Sequence, residues 1–422
     1  MRISLAYGEG KLGLDLPDKG VTIIEPSHRP GLQDERLGME QALASPTGCA
    51  PLREWLTPEA SVCIVFTDIT RATPNDRIIP WLLDWLRSAG VAREAITLLN
   101  STGTHRGNTR QELEGMLTPE VVRDYRVINH DCHALEDMVE IGATRGGARA
   151  LINRHLASAD VRIVTGFIEP HFFAGFSGGP KGIMPGVAGL ETVMSNHGAS
   201  MIGDPGAVFG ELDQNPIWCE MRDIATWVGP SFLINVTLNE QREITGFFAG
   251  DLVKAHREGC EFVRSTAMQR VEGLFDIVVT SNSGYPLDMN LYQGVKGMSA
   301  AARILKPDGL LILACECREG VPSGSPYDRL LREAGNPEGI LEMLARPGIV
   351  RPEQWQAQIQ SLISRRARVL LYSSLTPDLV EAAHLMPCSD IGAAMQRELD
   401  RLGGLGRVAV LPQGPLTIPY VG

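Results

Sequence analysis

Three of the nine histidines in this chain stand in glycine-containing segments: His105 in TGTHRG, His171 in EPHFFAG and His197 in SNHG. Imidazole titrates near neutral pH, which makes it the commonest side-chain general base, and in its neutral form it ligates metals. The other six, His28, His130, His133, His155, His256 and His384, lie in ordinary surroundings where a surface or hydrogen-bonded structural role serves equally well. Lys181 follows Ser177, Gly178, Gly179 and Pro180 in EPHFFAGFSGGPKGIMPG, a stretch too rich in Gly and Pro for a helix interior or a regular strand. Clustered glycines serve tight turns and close approach of backbone to a ligand. The phosphate-loop pattern GxxxxGK[ST] is not matched, because Gly179 lies two residues before Lys181 and Gly182 follows it. The backbone still suits an anion, and a lysine in such a cage can also join covalently to a cofactor carbonyl-type group. A solvated lysine in a turn is the plain alternative.

Two further groups carry polar chemistry. In TDITRATP, Arg71 can clamp a carboxylate or phosphate with two parallel hydrogen bonds while Asp68 fixes it, or Thr70 or Thr73 can simply cap a helix. In LYQGVKG, Tyr292 and Lys296 are four residues apart and share a helix face, with Gln293 three before the lysine. Hydroxyl, amide and amine together suit a hydroxy-carboxylate; a polar helix surface is the alternative. The segment ARILKPDGLLIL resembles the late helix–turn–strand of a Rossmann-type methyltransferase, but SNSGYP is not the glycine-rich turn such an enzyme needs.

These residues need a scaffold, and the hydrophobic pattern supplies one. Apolar runs at Val62 to Phe66, Ile96 to Leu99, Val161 to Val164, Ile277 to Thr280, Leu310 to Ala314, Val369 to Tyr372 and Val408 to Leu411 read as buried strands. Helix-like stretches such as 77–88, 252–264, 291–305 and 353–364 fall among them, so the expected fold is α/β with mostly parallel sheets. The first 25 residues alternate in short pieces and predict a small antiparallel start. A boundary near residues 265–274 predicts two α/β domains, 1–270 and 271–422. Ligands of open α/β sheets sit beyond the carboxyl ends of strands. Four such ends here run into polar loops, which places the expected site in the cleft between the domains.

Composition narrows the ligand. A net charge of −11 and the lack of a Lys/Arg-rich block argue against nucleic acid and an anionic membrane surface. No apolar run approaches the roughly 20 residues that span a bilayer. The N-terminus MRISLAYGEG lacks the apolar stretch of a signal peptide, and the eight scattered cysteines contain no CxxC pair. Reduced thiols in a cytoplasmic protein are expected.

Taken together, HFFAGFSGGPKGIMPG, GTHRG, SNHG, TDITRATP, LYQGVKG and EQWQAQI resemble the lactate racemase family of nickel-pincer enzymes, in the same order over residues 68–359. The resemblance implies a racemase or epimerase acting at C2 of a 2-hydroxy acid. It implies a nickel pyridinium-3-thioamide-5-thiocarboxylic acid mononucleotide, loaded by cofactor-biosynthesis enzymes and joined to Lys181. His197 would ligate nickel, and His105 and His171 would be the acid/base pair. Asp68, Arg71, Ser177, Gly178 and Gly179 would hold the cofactor or its phosphate. Arg71, Tyr292, Gln293, Lys296 and Trp355 would contact substrate. Two bases make chemical sense, because removing the hydroxyl proton while hydride leaves C2 avoids a carbanion, and each hand of substrate needs a base. Ile69 stands where lactate-acting relatives more often carry His or Lys, which opens the choice of substrate to apolar, longer or polyol side chains. Two rivals are a zinc hydrolase or lyase with the three loop histidines as ligands, and a non-catalytic nucleotide carrier.

Overall fold

The computed structural model describes residues 1–17, 20–346 and 348–422. It forms two compact units, the first of His28–His197 and Gly210–Arg264, the second of Met1–Ser27, Gly198–Phe209 and Ser265–Gly422.

The first unit is built on a six-stranded sheet in the order Ile244–Asp251, Phe232–Leu238, Val161–Phe167, Val62–Thr67, Ile96–Ser101, Arg126–Asn129. Neighbours are parallel apart from the pair Phe232–Leu238 and Ile244–Asp251. The first five residues of VCIVFT are all buried, as a strand covered on both faces requires. Helix Asn75–Ser88 covers one face through Ile78, Ile79, Leu82, Leu83 and Leu86, spaced at helical period. In-register pairing sets Thr67 beside Ser101, and Val65 beside Val164. The loops after these three strands therefore leave from one edge of the sheet.

The second unit has an all-parallel sheet in the order Met386–Cys388, Arg368–Tyr372, Leu305–Ala314, Phe275–Ser281, Val408–Leu411, Val21–Ile23. Alternate residues of its central strands serve two apolar layers: Val278, Leu311 and Leu313 on one face, Ile277, Val279 and Ile312 on the other. Helix Leu291–Ala302 ends three residues before the 305 its sequence pattern predicts, because Leu305 already belongs to the next strand.

The division 1–270 and 271–422 needs correction at its beginning and at Gly198–Phe209, which both belong to the second unit, and the later boundary falls between Arg264 and Ser265. Arg2–Tyr7 and Gly10–Asp15 do form an antiparallel hairpin, but Val21–Ile23 pairs parallel with Val408–Leu411. Leu5, Leu14 and Leu16 pack with Ile277, Val279 and Ile312, so these N-terminal leucines are buried in the second unit. All eight cysteines are free, and among the described residues no helix is long and apolar enough to cross a membrane.

Candidate active site

Asp68 follows strand Val62–Thr67 directly and is 2% exposed. One carboxylate oxygen accepts from Nδ1 of His105 at 2.8 Å, and the other accepts from the Thr70 hydroxyl at 2.7 Å. Burial by itself would raise the Asp68 carboxyl. The hydrogen bond from His105, the charges of His105 and Arg71 and the Thr70 hydroxyl outweigh it and hold the group below the usual carboxylate range. An ionised carboxylate only accepts, so Nδ1 of His105 carries hydrogen and the lone pair of the neutral ring lies on Nε2. The clamp in which Asp68 fixes Arg71 gives way to an Asp–His dyad. Arg71 acts on Asp68 through its charge, and its backbone N–H closes the turn onto the Asp68 carbonyl at 3.1 Å.

The loop bearing His105 is tied to the glycine-rich segment, since the N–H of Gly103 donates to the Gly186 carbonyl at 2.9 Å. Within that segment the Ala174 N–H donates to Nδ1 of His171 at 3.2 Å. A backbone N–H only donates, so His171 when neutral carries its hydrogen on Nε2, the opposite tautomer to His105.

Phe173 gathers three of the expected site residues. Its ring centroid lies 4.5 Å from that of His171 and 5.1 Å from that of His197, edge-on to both. The Lys181 ammonium stands 5.8 Å from the same centroid, within cation–π range. His197 caps helix Leu190–Asn196 and is 4% exposed. Burial, helped by the charge of Lys181, pushes its pKa well below the ordinary histidine value, so the ring is neutral, the form that binds metal.

The Ser177 hydroxyl closes the loop internally, donating to the Phe167 carbonyl and accepting from the Glu169 N–H, both at 2.9 Å. The two glycines meet protein rather than open space. Gly178 has φ +75° and a Cβ there would lie 2.4 Å from Oδ1 of Asn235; Gly179 has φ +56° and a Cβ would lie 2.3 Å from Cγ of His256. Their small size thus serves the packing of Asn235, which accepts from the Gly179 N–H at 2.8 Å, and of His256. His256 is fully buried, stacks on Trp218 and donates from Nε2 to the Ser177 carbonyl at 2.8 Å. Sequence reasoning passed over His256, Phe173 and Asn235. Only the HFF run adjoining His171 offered a local signal for one of them.

The second unit carries its own cluster. Tyr292, Gln293 and Lys296 occupy the first turns of helix Leu291–Ala302, and Trp355 lies on helix Gln354–Arg366. Trp355 Nε1 donates to the Tyr292 hydroxyl at 3.2 Å, while the Gln356 amide donates to the Tyr292 carbonyl. The side-chain oxygen of Gln293 is buried with no partner among the described residues, an acceptor that a ligand hydroxyl would satisfy.

A zinc centre of His105, His171 and His197 does not match this geometry. Among the described residues, three ligand atoms come within 4.8 Å of one another only at Asp131, Cys132 and His133. The donor set does fit a tethered cofactor with a metal. A lysine amine and a buried neutral imidazole share one aromatic ring, and the lysine's charge reaches the imidazole.

The chain was also compared as a whole with known proteins. Residues 7–210 match the model of the lactate racemase N-terminal domain, and residues 271–418 that of the lactate racemase C-terminal domain. The chain is 36% identical over 420 residues to a lactate racemase of Lactiplantibacillus plantarum, covering 98% of each chain. It is 34% identical over 419 residues to one of Thermoanaerobacterium thermosaccharolyticum, covering 98% of this chain and 97% of that protein. The solved apoprotein of the latter superposes with a TM-score of 0.93 over 99% of this chain and 100% of that one. A Thermotoga maritima protein at 19% identity and a TM-score of 0.68 shares the fold, with 92% of this chain and 98% of that chain covered.

Proposed function

The chain belongs to the lactate racemase family and is a racemase, and from this premise we propose that it inverts C2 of a 2-hydroxy acid using a nickel-pincer nucleotide tethered to Lys181. The observation that carries the reading is the gathering of His171, Lys181 and His197 around the Phe173 ring. The Lys181 amine would hold the group covalently, and Nε2 of His197 would ligate its nickel. When bound, the group supplies reversible acceptance of the C2 hydride.

This chain's own residues handle the proton. Nε2 of His105 takes the hydroxyl proton, and Asp68 stabilises the imidazolium that results by holding Nδ1–H at 2.8 Å. His171 presents an N–H at Nε2, so the pair begins as one acceptor and one donor. For the other hand of substrate His171 becomes the base, which requires a lone pair on Nε2 and release of the Ala174 bond. Arg71, Tyr292, Gln293, Lys296 and Trp355 bind and orient the acid. Ile69, an exposed apolar side chain next to Asp68, favours substrates whose C2 substituent is apolar or longer than methyl.

Protein produced with the cofactor-biosynthesis enzymes should show a mass adduct that Lys181→Ala abolishes. An adduct of unchanged mass in that variant ends the tether assignment. Loaded enzyme offered a panel of 2-deuterated 2-hydroxy acids, read by chiral analysis, identifies the substrate.

A further inference from the structure

The lone pair that a metal would meet on His197 is selected by residues far from it in the chain. Asn196 is fully buried, and both ends of its amide are engaged. Its Nδ2 donates to the Ile217 carbonyl at 3.2 Å and to the Glu220 carboxylate at 2.8 Å. A backbone carbonyl only accepts, so the end of the amide facing Ile217 has to be the NH2 group. That leaves the amide oxygen towards His197, where Oδ1 stands 3.0 Å from Nδ1. An amide oxygen only accepts in turn, which puts hydrogen on Nδ1 and the lone pair on Nε2. Glu220, 2% exposed on helix Pro216–Trp227, is itself held by the Arg145 backbone N–H on its other oxygen.

We propose that Asn196, oriented by Ile217 and Glu220, is a positioning residue that holds His197 in the tautomer with its lone pair on Nε2. This rests on the reading of His197 as the nickel ligand. The physical reason is the one that makes outer-sphere partners matter at metal sites generally. A hydrogen bond on one ring nitrogen chooses the tautomer and raises the donor strength of the other. A histidine whose tautomer were free would present N–H to the metal part of the time and would have to pay the exchange on each loading.

The test separates tautomer selection from mere support of the fold. In apo protein labelled with 15N-histidine, assigned with the aid of His197→Gln, the His197 ring should show a pyrrole-type Nδ1 and a pyridine-type Nε2. Asn196→Ala should yield a mixture of the two tautomers. Asn196→Asp keeps an acceptor against Nδ1 and should preserve the wild-type pattern, although it loses the bonds to Ile217 and Glu220. In loaded protein, nickel retained per Lys181 adduct should fall about 10–100-fold in affinity in the Ala variant and far less in the Asp variant. A purely structural role predicts that Asp, which sets a carboxylate against Glu220 and the Ile217 carbonyl, is at least as damaging as Ala. That ranking overturns the proposal, and so does a pyridine-type Nδ1 in the wild-type protein, whatever the variants do. If the wild-type tautomer is as stated but His197→Ala retains nickel in full, the metal-ligand reading falls while tautomer selection by Asn196 stands.

Discussion

His256 gives the most quantitative expectation. It lies behind the Lys181 loop, fully buried, with Nε2–H on the Ser177 carbonyl and its ring 6.3 Å from Trp218 at an interplanar angle of 16°. Burial lowers its pKa from 6.5 to about 4, even though the bond to Ser177 works in the opposite direction. Between these values the unfolded chain binds a proton that the native protein refuses. The stabilisation is therefore complete above about pH 6.5 and is lost as pH falls towards about 4. Two and a half pH units at 1.36 kcal/mol each amount to about 3 kcal/mol. His256→Leu removes the titration and leaves the Ser177 carbonyl unpaired, at a cost of about 1–3 kcal/mol at neutral pH. Urea unfolding of both proteins at about pH 7 and about pH 4.5, followed by tryptophan fluorescence and by hydrogen exchange in peptides spanning 177–183, checks this. The stability gap between wild type and variant should close by roughly 2–3 kcal/mol on acidification. A gap that stays constant means that His256 takes up its proton equally in the native and unfolded states, and the argument from burial fails.

Asp68→Ala removes a charge-assisted hydrogen bond of about 1.5–3 kcal/mol, so kcat of the loaded enzyme should fall roughly 10–100-fold with adduct content and KM little changed. A kcat within about twofold of wild type would remove Asp68 from the mechanism. Because the Asp68 carboxyl is held below its ordinary range, its contribution to stability is present above that range and is lost only as pH falls through the lower native value. In the second unit, Tyr292→Phe and Trp355→Phe should be less than additive by about 0.5–1.5 kcal/mol in urea unfolding, since each removes the same 3.2 Å hydrogen bond. Strict additivity would show that this bond contributes nothing.

Much of the scaffold was legible because its signal is local. Residues 62–66 and 310–314 are unbroken apolar runs within strands Val62–Thr67 and Leu305–Ala314, and buried parallel strands admit little else. The strand pair Phe232–Leu238 and Ile244–Asp251 was not foreseen: its second strand, ITGFFAGD, carries a threonine, two glycines and a terminal aspartate that mask the pattern. The placement of Val21–Ile23 also escaped. A three-residue strand has no periodicity of its own, and only the open edge beside Val408–Leu411 decides where it pairs.

The same division runs through the site. Residue type and spacing alone placed His105, His171, Lys181 and His197 in special segments, because clustered Gly and Pro around a titratable side chain is a local pattern. The family followed from those segments in order. Which atom of each residue does what was a tertiary decision. Asp68 turned out to serve His105, 37 residues away, and Asn196 joins His197 to Ile217 and Glu220 on another helix. The glycines that read as room for a ligand are filled from behind by Asn235 and His256. A tautomer, a depressed pKa or a blocked Cβ depends on the partners that reach a residue from elsewhere in the chain. Sequence spacing records the residue, and only folding supplies the partner.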